Sequence, residues 1–135
     1  MTVDIGQLAP NLEPEFTQWR TGEGGAAEWT LVADASAKGG RAIAQVSNDK
    51  TNYRFPLAIY KPFSGKDLEV LVRFKPVTGT VDQAGGIAVR VVTRDDYYVL
   101  RAKTMCAFTG SLKASGSNWA GPTSRSPPMC GIRSR

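Results

Sequence analysis

The chain has 135 residues, 41% of them apolar and 21% charged, which suits a single soluble globular domain and excludes a disordered chain. It contains no histidine, so Ser-His-Asp and Cys-His catalysis and histidine metal sites are excluded within this chain. The net charge of +5 is unevenly spread: residues 1–103 hold 13 basic and 12 acidic side chains, and residues 104–135 hold four basic ones (Lys113, Arg125, Arg133, Arg135) and no acid. A nearly neutral main part without basic runs among aromatics points away from nucleic acid, which needs clustered phosphate contacts. No apolar run reaches the ~18–20 residues of a membrane helix. Met1-Thr-Val-Asp-Ile lacks the basic and apolar regions of a secretory signal peptide.

In chain order, residues 1–27 are rich in Glu, Gly, Pro and Ala, and are expected to form an extended lead-in ending in the loop Thr21-Gly-Glu-Gly-Gly-Ala-Ala. Short strands follow, separated by turn residues. Trp29 to Asp34 and Arg41 to Val46 flank the turn-rich Ala35-Ser-Ala-Lys-Gly-Gly. Arg54 to Tyr60 contains Pro56, which lacks a ladder donor and predicts an edge strand or a bulge.

The strongest strand is Asp67 to Val77. Leu68, Val70, Val72 and Phe74 fall on one face; Asp67, Glu69, Arg73 and Lys75 fall on the other, with Leu71 among them. A period of two buries one face and leaves the other polar. Gly85 to Thr93 and Asp96 to Lys103 then read as a hairpin around Arg94-Asp95. Pairing Thr93 with Asp96 puts Ile87, Val89, Val91, Tyr98, Leu100 and Ala102 on one face. Ala88, Arg90, Val92, Tyr97, Val99 and Arg101 take the other, so two guanidinium groups lie diagonally across neighbouring strands beside a tyrosine. No stretch reads as a helix of ten or more residues. The fold class expected is all-β, an antiparallel β-sandwich or barrel.

The strings Trp29-Thr-Leu-Val-Ala-Asp, Arg54-Phe-Pro-Leu-Ala, Asp67-Leu-Glu-Val-Leu-Val-Arg-Phe-Lys-Pro-Val, Val81-Asp-Gln-Ala-Gly-Gly-Ile-Ala-Val-Arg and Asp96-Tyr-Tyr-Val-Leu-Arg-Ala carry a resemblance. Over about residues 10–103 the chain resembles the bacterial family-16-glycoside-hydrolase-like domains, also labelled 3-keto-disaccharide hydrolase domains. The resemblance implies a concanavalin A-like jelly roll, a carbohydrate ligand and an exported, periplasmic or extracellular, protein. The Glu-x-Asp-x-x-Glu strand of true family-16 glucanases is absent. Retaining hydrolysis needs two carboxyl groups about 5 Å apart; Asp67 and Glu69, two residues apart on one face, could approach that, or simply form a solvated face.

Carbohydrate sites in lectin-like jelly rolls combine planar polar side chains with an aromatic platform. On that pattern Arg73, Arg90, Arg101, Tyr97 and Glu69 form the candidate binding face, with arginines donating to hydroxyls or carboxylates. The alternative is a cross-strand ion-pair ladder that only stabilises the sheet. Asp82 and Gln83, before Gly85-Gly86, offer a carboxylate and an amide at a site rim, or ordinary turn chemistry. Glu69 and Asp82 are the candidates for acid or base in the enzymatic alternative, cleavage of keto-disaccharides. A structural or partner-binding β-sandwich is the third reading. Trp19 and Trp29 either stack on sugars or pack at strand starts. No cofactor is expected; Asp82 or Asp95-Asp96 could contribute to a calcium site, but six or more oxygens are needed and no ligand-dense loop supplies them. Cys106 and Cys130 lack metal-ligand spacing.

From Thr104 the alternation ends, acids vanish and both cysteines appear. One reading is a disordered tail. The other is a frameshift. Back-translated from the last base of the Lys103 codon, Thr-Met-Cys-Ala-Phe-Thr-Gly permits Asn-His-Val-Arg-Leu-Tyr-Arg, and Met129-Cys-Gly-Ile-Arg-Ser permits His-Val-Trp-His-Thr-Leu. Both resemble strands this family carries next. The chain is then a partial jelly-roll domain over 1–103, of marginal stability, self-associating through exposed strand edges.

Overall fold

The computed structural model describes the backbone of residues 3–8, 10–81, 83–103, 108–115, 118–119, 123–124 and 132–134, and side chains as far as Arg101. The structure is all-β: antiparallel strands, with 3-10 turns at Ile5–Gln7 and Lys38–Gly40 and no longer helix among the described residues. The chain divides into two compact units, Met1–Ser64 and Gly65–Arg135. The sequence boundary at residue 103 therefore falls inside the second.

The first unit holds β1 (Phe16–Gly22), β2 (Trp29–Ala33), β3 (Arg41–Gln45) and β4 (Arg54–Tyr60). β2 pairs with β3 from Trp29↔Gln45 to Ala33↔Arg41, around the turn expected there. The lead-in expected over 1–27 needs correction, because β1 lies within it and pairs with β4. Phe16-Thr-Gln-Trp-Arg-Thr mixes polar and aromatic residues on both faces, so it lacks the alternation that marks a strand in isolation. The β1–β4 ladder runs unbroken from Phe16↔Tyr60 to Gly22↔Arg54, with Pro56 opposite Arg20 and no bulge. Both strands of a two-stranded sheet are edges, which is where a proline is tolerated. At the end of β1, Gly22 has φ +79°, and a Cβ there would collide with the Tyr53 carbonyl oxygen. Tyr53 itself has φ +56°, and its carbonyl accepts from Glu23 N at 3.0 Å.

The second unit holds β5 (Leu68–Phe74), β6 (Ala84–Thr93) and β7 (Asp96–Lys103). Four further strands follow: β8 (Phe108–Ser115), β9 (Asn118–Trp119), β10 (Thr123–Ser124) and β11 (Ile132–Ser134). One sheet runs β10-β8-β5, with β9 also on β8; the other runs β11-β7-β6. β8 opposes β5 over seven residues, from Leu68↔Ala114 to Phe74↔Phe108. Strands β8 to β11 thus lie in the segment that the sequence sets apart after residue 103.

Burial along β5 alternates as its sequence does: Leu68, Val70, Val72 and Phe74 are half-buried, and Glu69, Leu71 and Arg73 are exposed. The half-buried four pack against Ile87, Val89 and Leu100 of the β6–β7 hairpin. Full burial of each such side chain is worth roughly 1.5–3 kcal/mol. Gly85 lets this happen closely, since a Cβ there would meet the Phe74 ring at 2.6 Å.

The hairpin register differs from the sequence expectation. Thr93 does pair with Asp96, but the ladder then shifts, so that Val89 faces Tyr98, Ile87 faces Leu100 and Gly86 faces Arg101. Residues 90–92 form the irregularity, and Arg90 has φ +51°, a left-handed conformation uncommon outside glycine. The offset between the two registers is two residues, an even number, so Ile87, Val89 and Leu100 stay on the core side as expected.

Candidate functional site

The shift separates the two arginines. The unshifted register puts Arg90 diagonal to Arg101, about 7–8 Å away. In the structure Arg101 stands opposite Gly86, four residues along β6 from Arg90, and at ~3.3 Å per residue that is roughly 13 Å of strand. The register thus moves the two arginines away from the diagonal positions expected of them. Arg90 is exposed; Tyr97 and Arg101 are half-buried.

Glu69 and Arg73 do not join them. The apolar face of β5 meets the apolar face of the hairpin. Alternation therefore turns Glu69 and Arg73 outward on the far side of one sheet, and Arg101, Val99 and Ala88 outward on the far side of the other. Burial on β5 alternates as expected, whereas Tyr98, expected on the core face of β7, is exposed; the two polar faces belong to different sheets. Gln83 spends its amide on the carbonyl oxygen of Gly79 at 3.0 Å. Asp82 lies outside the described residues. Asp95 pairs with its neighbour Arg94 at 3.3 Å in the exposed turn. Among the described residues, no three His, Cys, Asp or Glu side chains come together as a metal site.

The first unit brings together what the second does not. A groove of about 600 Å³ is lined by Glu13, Phe16, Gln18, Ala27, Glu28, Trp29, Thr30 and Val46. Its position follows from one side chain. Gln18 of β1 accepts from Trp29 N at 2.7 Å and donates to Trp29 O at 3.0 Å, so a side-chain amide stands in for a strand neighbour at the start of β2. That fixes Trp29 against β1. Phe16 is buried under the groove, with its ring 5.2 Å from that of Tyr60 opposite it in β4. The carboxylates of Glu13 and Glu28 and the hydroxyl of Thr30 are exposed around these two aromatics.

Next to β2, the loop before it is held by a polar cluster. Asp49 accepts from Gly25 N at 2.6 Å, from Thr51 Oγ1 at 2.6 Å and from Thr51 N at 2.9 Å, and sits 3.4 Å from Arg54 Nε. Arg54 also donates to Gly25 O at 3.1 Å and to Ala26 O at 2.5 Å. The Thr51 hydroxyl, then the Gly25 and Thr51 amides, and last the Arg54 charge, lower the Asp49 pKa to about 2. The loop thus carries Ala27 and Glu28 to the groove in a fixed arrangement.

Trp29 is the one groove residue that the sequence singles out, and it is half-buried on the groove wall; Trp19 is half-buried opposite Leu57. Glu13, Phe16, Gln18 and Glu28 carry no motif. Their only sequence signal is acids and an amide close to an aromatic on either side of a glycine loop. Comparison of the chain with protein-family models, with curated proteins and with solved structures finds no match. No helix among the described residues is long and apolar enough to cross a membrane.

Proposed function

We propose that the chain is a carbohydrate-binding β domain of the concanavalin A-like, jelly-roll kind, and that a sugar ring is held in the Trp29 groove. The carrying observation is the composition of that groove: an indole and a phenyl ring flanked by Glu13, Glu28, Gln18 and Thr30. Sugar rings have an apolar C–H face that rests on aromatics and a rim of hydroxyls that donate to carboxylates. Two carboxylates and no cationic side chain in the lining disfavour uronic acids and favour neutral or amino sugars. The jelly-roll part is supported by the apolar face of β5 packed on the β6–β7 hairpin, the arrangement of two sheets sharing a core. Export goes with the same resemblance, and a frameshift after Lys103 is proposed separately from the back-translated codons. Reading the codons after Lys103 tests the frameshift directly.

The function is tested by calorimetric titration of the 135-residue chain with neutral, amino and uronic oligosaccharides. Neutral or amino sugars are expected to bind, and Trp29→Ala to weaken them at least ~10-fold, about 1.4 kcal/mol. Glu28→Gln, at an exposed side chain, is a second variant that should keep the fold and lose affinity. Failure of every sugar to bind, or binding unchanged by both substitutions, overturns the reading.

A further inference from the structure

The outward face of β5 suggests a partner. β5 ends its sheet in the order of hydrogen-bonded strands: β8 holds one edge, and no described strand holds the other. A strand with an open edge is a template for another strand. Leu71, at the middle of β5, is 68% exposed, between exposed Glu69 and Arg73.

The charges over Asp67-Leu-Glu-Val-Leu-Val-Arg-Phe-Lys75 reverse sign about Leu71. Laid antiparallel on a copy of itself with Leu71 opposite Leu71, the strand puts Glu69 opposite Arg73 and Asp67 opposite Lys75. Symmetry repeats both pairs, and Val70 meets Val72 while Leu68 meets Phe74. A parallel pairing would set like charges side by side, which is unfavourable. A slip of one residue would turn the charged face toward the apolar one. A slip of two would place Leu71 against a charge. One register of one orientation is therefore selected by sequence order. Asp67, Glu69, Arg73 and Lys75 also make contacts within their own chain. The open edge admits a second copy, and the order of the charges, not a lack of partners for them, is what fits it.

We propose that β5 is an isologous dimer interface, joining two copies of this chain edge to edge about a two-fold axis at Leu71. Such a contact uses the same patch on both partners and closes after two, which also removes the open edge. It involves residues other than the groove, and stands or falls apart from the sugar-binding reading.

Sedimentation equilibrium on the intact chain, up to about 100 μM, should give a monomer–dimer equilibrium. E69R sets arginine against arginine at both symmetric pairs, and R73E sets glutamate against glutamate. Each is expected to raise the dimer dissociation constant at least ~10-fold. Mixing the two variants restores opposite signs at both pairs, and should recover a heterodimer within about threefold of the original affinity. L71C in a Cys106→Ser, Cys130→Ser background should oxidise to a disulfide-linked dimer, because directly opposed Cα atoms lie about 4.5–5.5 Å apart. This readout stands if a charge reversal unfolds the chain. A monomer at about 100 μM, open-ended oligomers, single reversals as tight as the parent, a mixture that stays monomeric, or no disulfide-linked dimer would each overturn the interface.

Discussion

The two units solve the same problem by different means. In Gly65–Arg135 the strands alternate cleanly, and Leu68, Val70, Val72 and Phe74 meet Ile87, Val89 and Leu100 in one apolar cluster. In Met1–Ser64 only Leu12 and Phe16 are buried apolar residues among those described. The first unit is instead tied by side chains that reach backbone groups. Gln18 bonds Trp29, Arg41 Nη1 donates to Leu8 O at 3.0 Å, Lys61 Nζ donates to Glu13 O at 2.6 Å, and Arg54 holds Gly25 and Ala26. Two-stranded sheets have little face to bury against each other. Polar ties replace the missing core, and they leave room for a groove. Two buried donors beside it, Trp29 Nε1 and Gln45 Nε2, meet no protein acceptor among the described residues, and their residues face each other across β2 and β3. A buried donor of this kind costs about 1–3 kcal/mol when neither protein nor water supplies an acceptor.

The largest expected effect tests whether the two units are separate energetically. Leu100 is 1% exposed at the centre of the cluster. Leu100→Ala should cost about 2–5 kcal/mol through lost transfer energy and a residual cavity. Amide exchange followed residue by residue should then lose protection in β6 and β7, while β1 and β4 keep theirs. Equal loss in β1 and β4 would break the comparison, because the units would unfold as one.

The same contrast explains what the sequence makes legible. Asp67 to Val77 is readable because its two faces differ in chemistry, and β5 alternates in burial along its whole length. The ends of the hairpin are readable from Arg94-Asp95. The register between them is not: Arg90-Val-Val contains no glycine or asparagine to announce a left-handed residue, yet Arg90 takes one. That single irregularity moves Arg90 away from Arg101. β1 is hidden because Phe16, Gln18 and Arg20 share one face, and Thr17, Trp19 and Thr21 the other. The groove is harder still. Its residues come from position 13 to position 46, and what unites them is the Gln18–Trp29 bond, which no spacing rule encodes.

A smaller effect sharpens the account of the first unit. Gln18→Ala removes an acceptor from Trp29 N and a donor from Trp29 O, and should cost about 1–3 kcal/mol. It should also loosen the indole, seen as a red shift of its fluorescence toward a solvated emission. Gln18→Glu keeps the acceptor and aims a carboxylate at the Trp29 carbonyl, so it should not rescue the fold. Full rescue by Gln18→Glu would mean that the Trp29 amide alone matters.

The smallest effect concerns the charge that orders the groove loop. The Asp49 carboxyl is held at a pKa of about 2, chiefly by the Thr51 hydroxyl and the Gly25 and Thr51 amides. In the unfolded chain the same group titrates near ~3.9. The folded state therefore prefers the carboxylate, and the stabilisation is fully present above the unfolded value. As pH falls from ~4 toward ~2 the unfolded chain takes up the proton first, and the stabilisation is lost. Asp49→Asn lacks this titration. Urea midpoints of the parent and of Asp49→Asn, compared at several pH values, should differ most at neutral pH and converge toward pH ~2. Because hydrogen bonds outrank the Arg54 charge among the causes, added salt should change the gap little. A gap that stays constant down to acid pH would mean that Asp49 holds the loop by shape alone; one that collapses in salt would move the credit to Arg54.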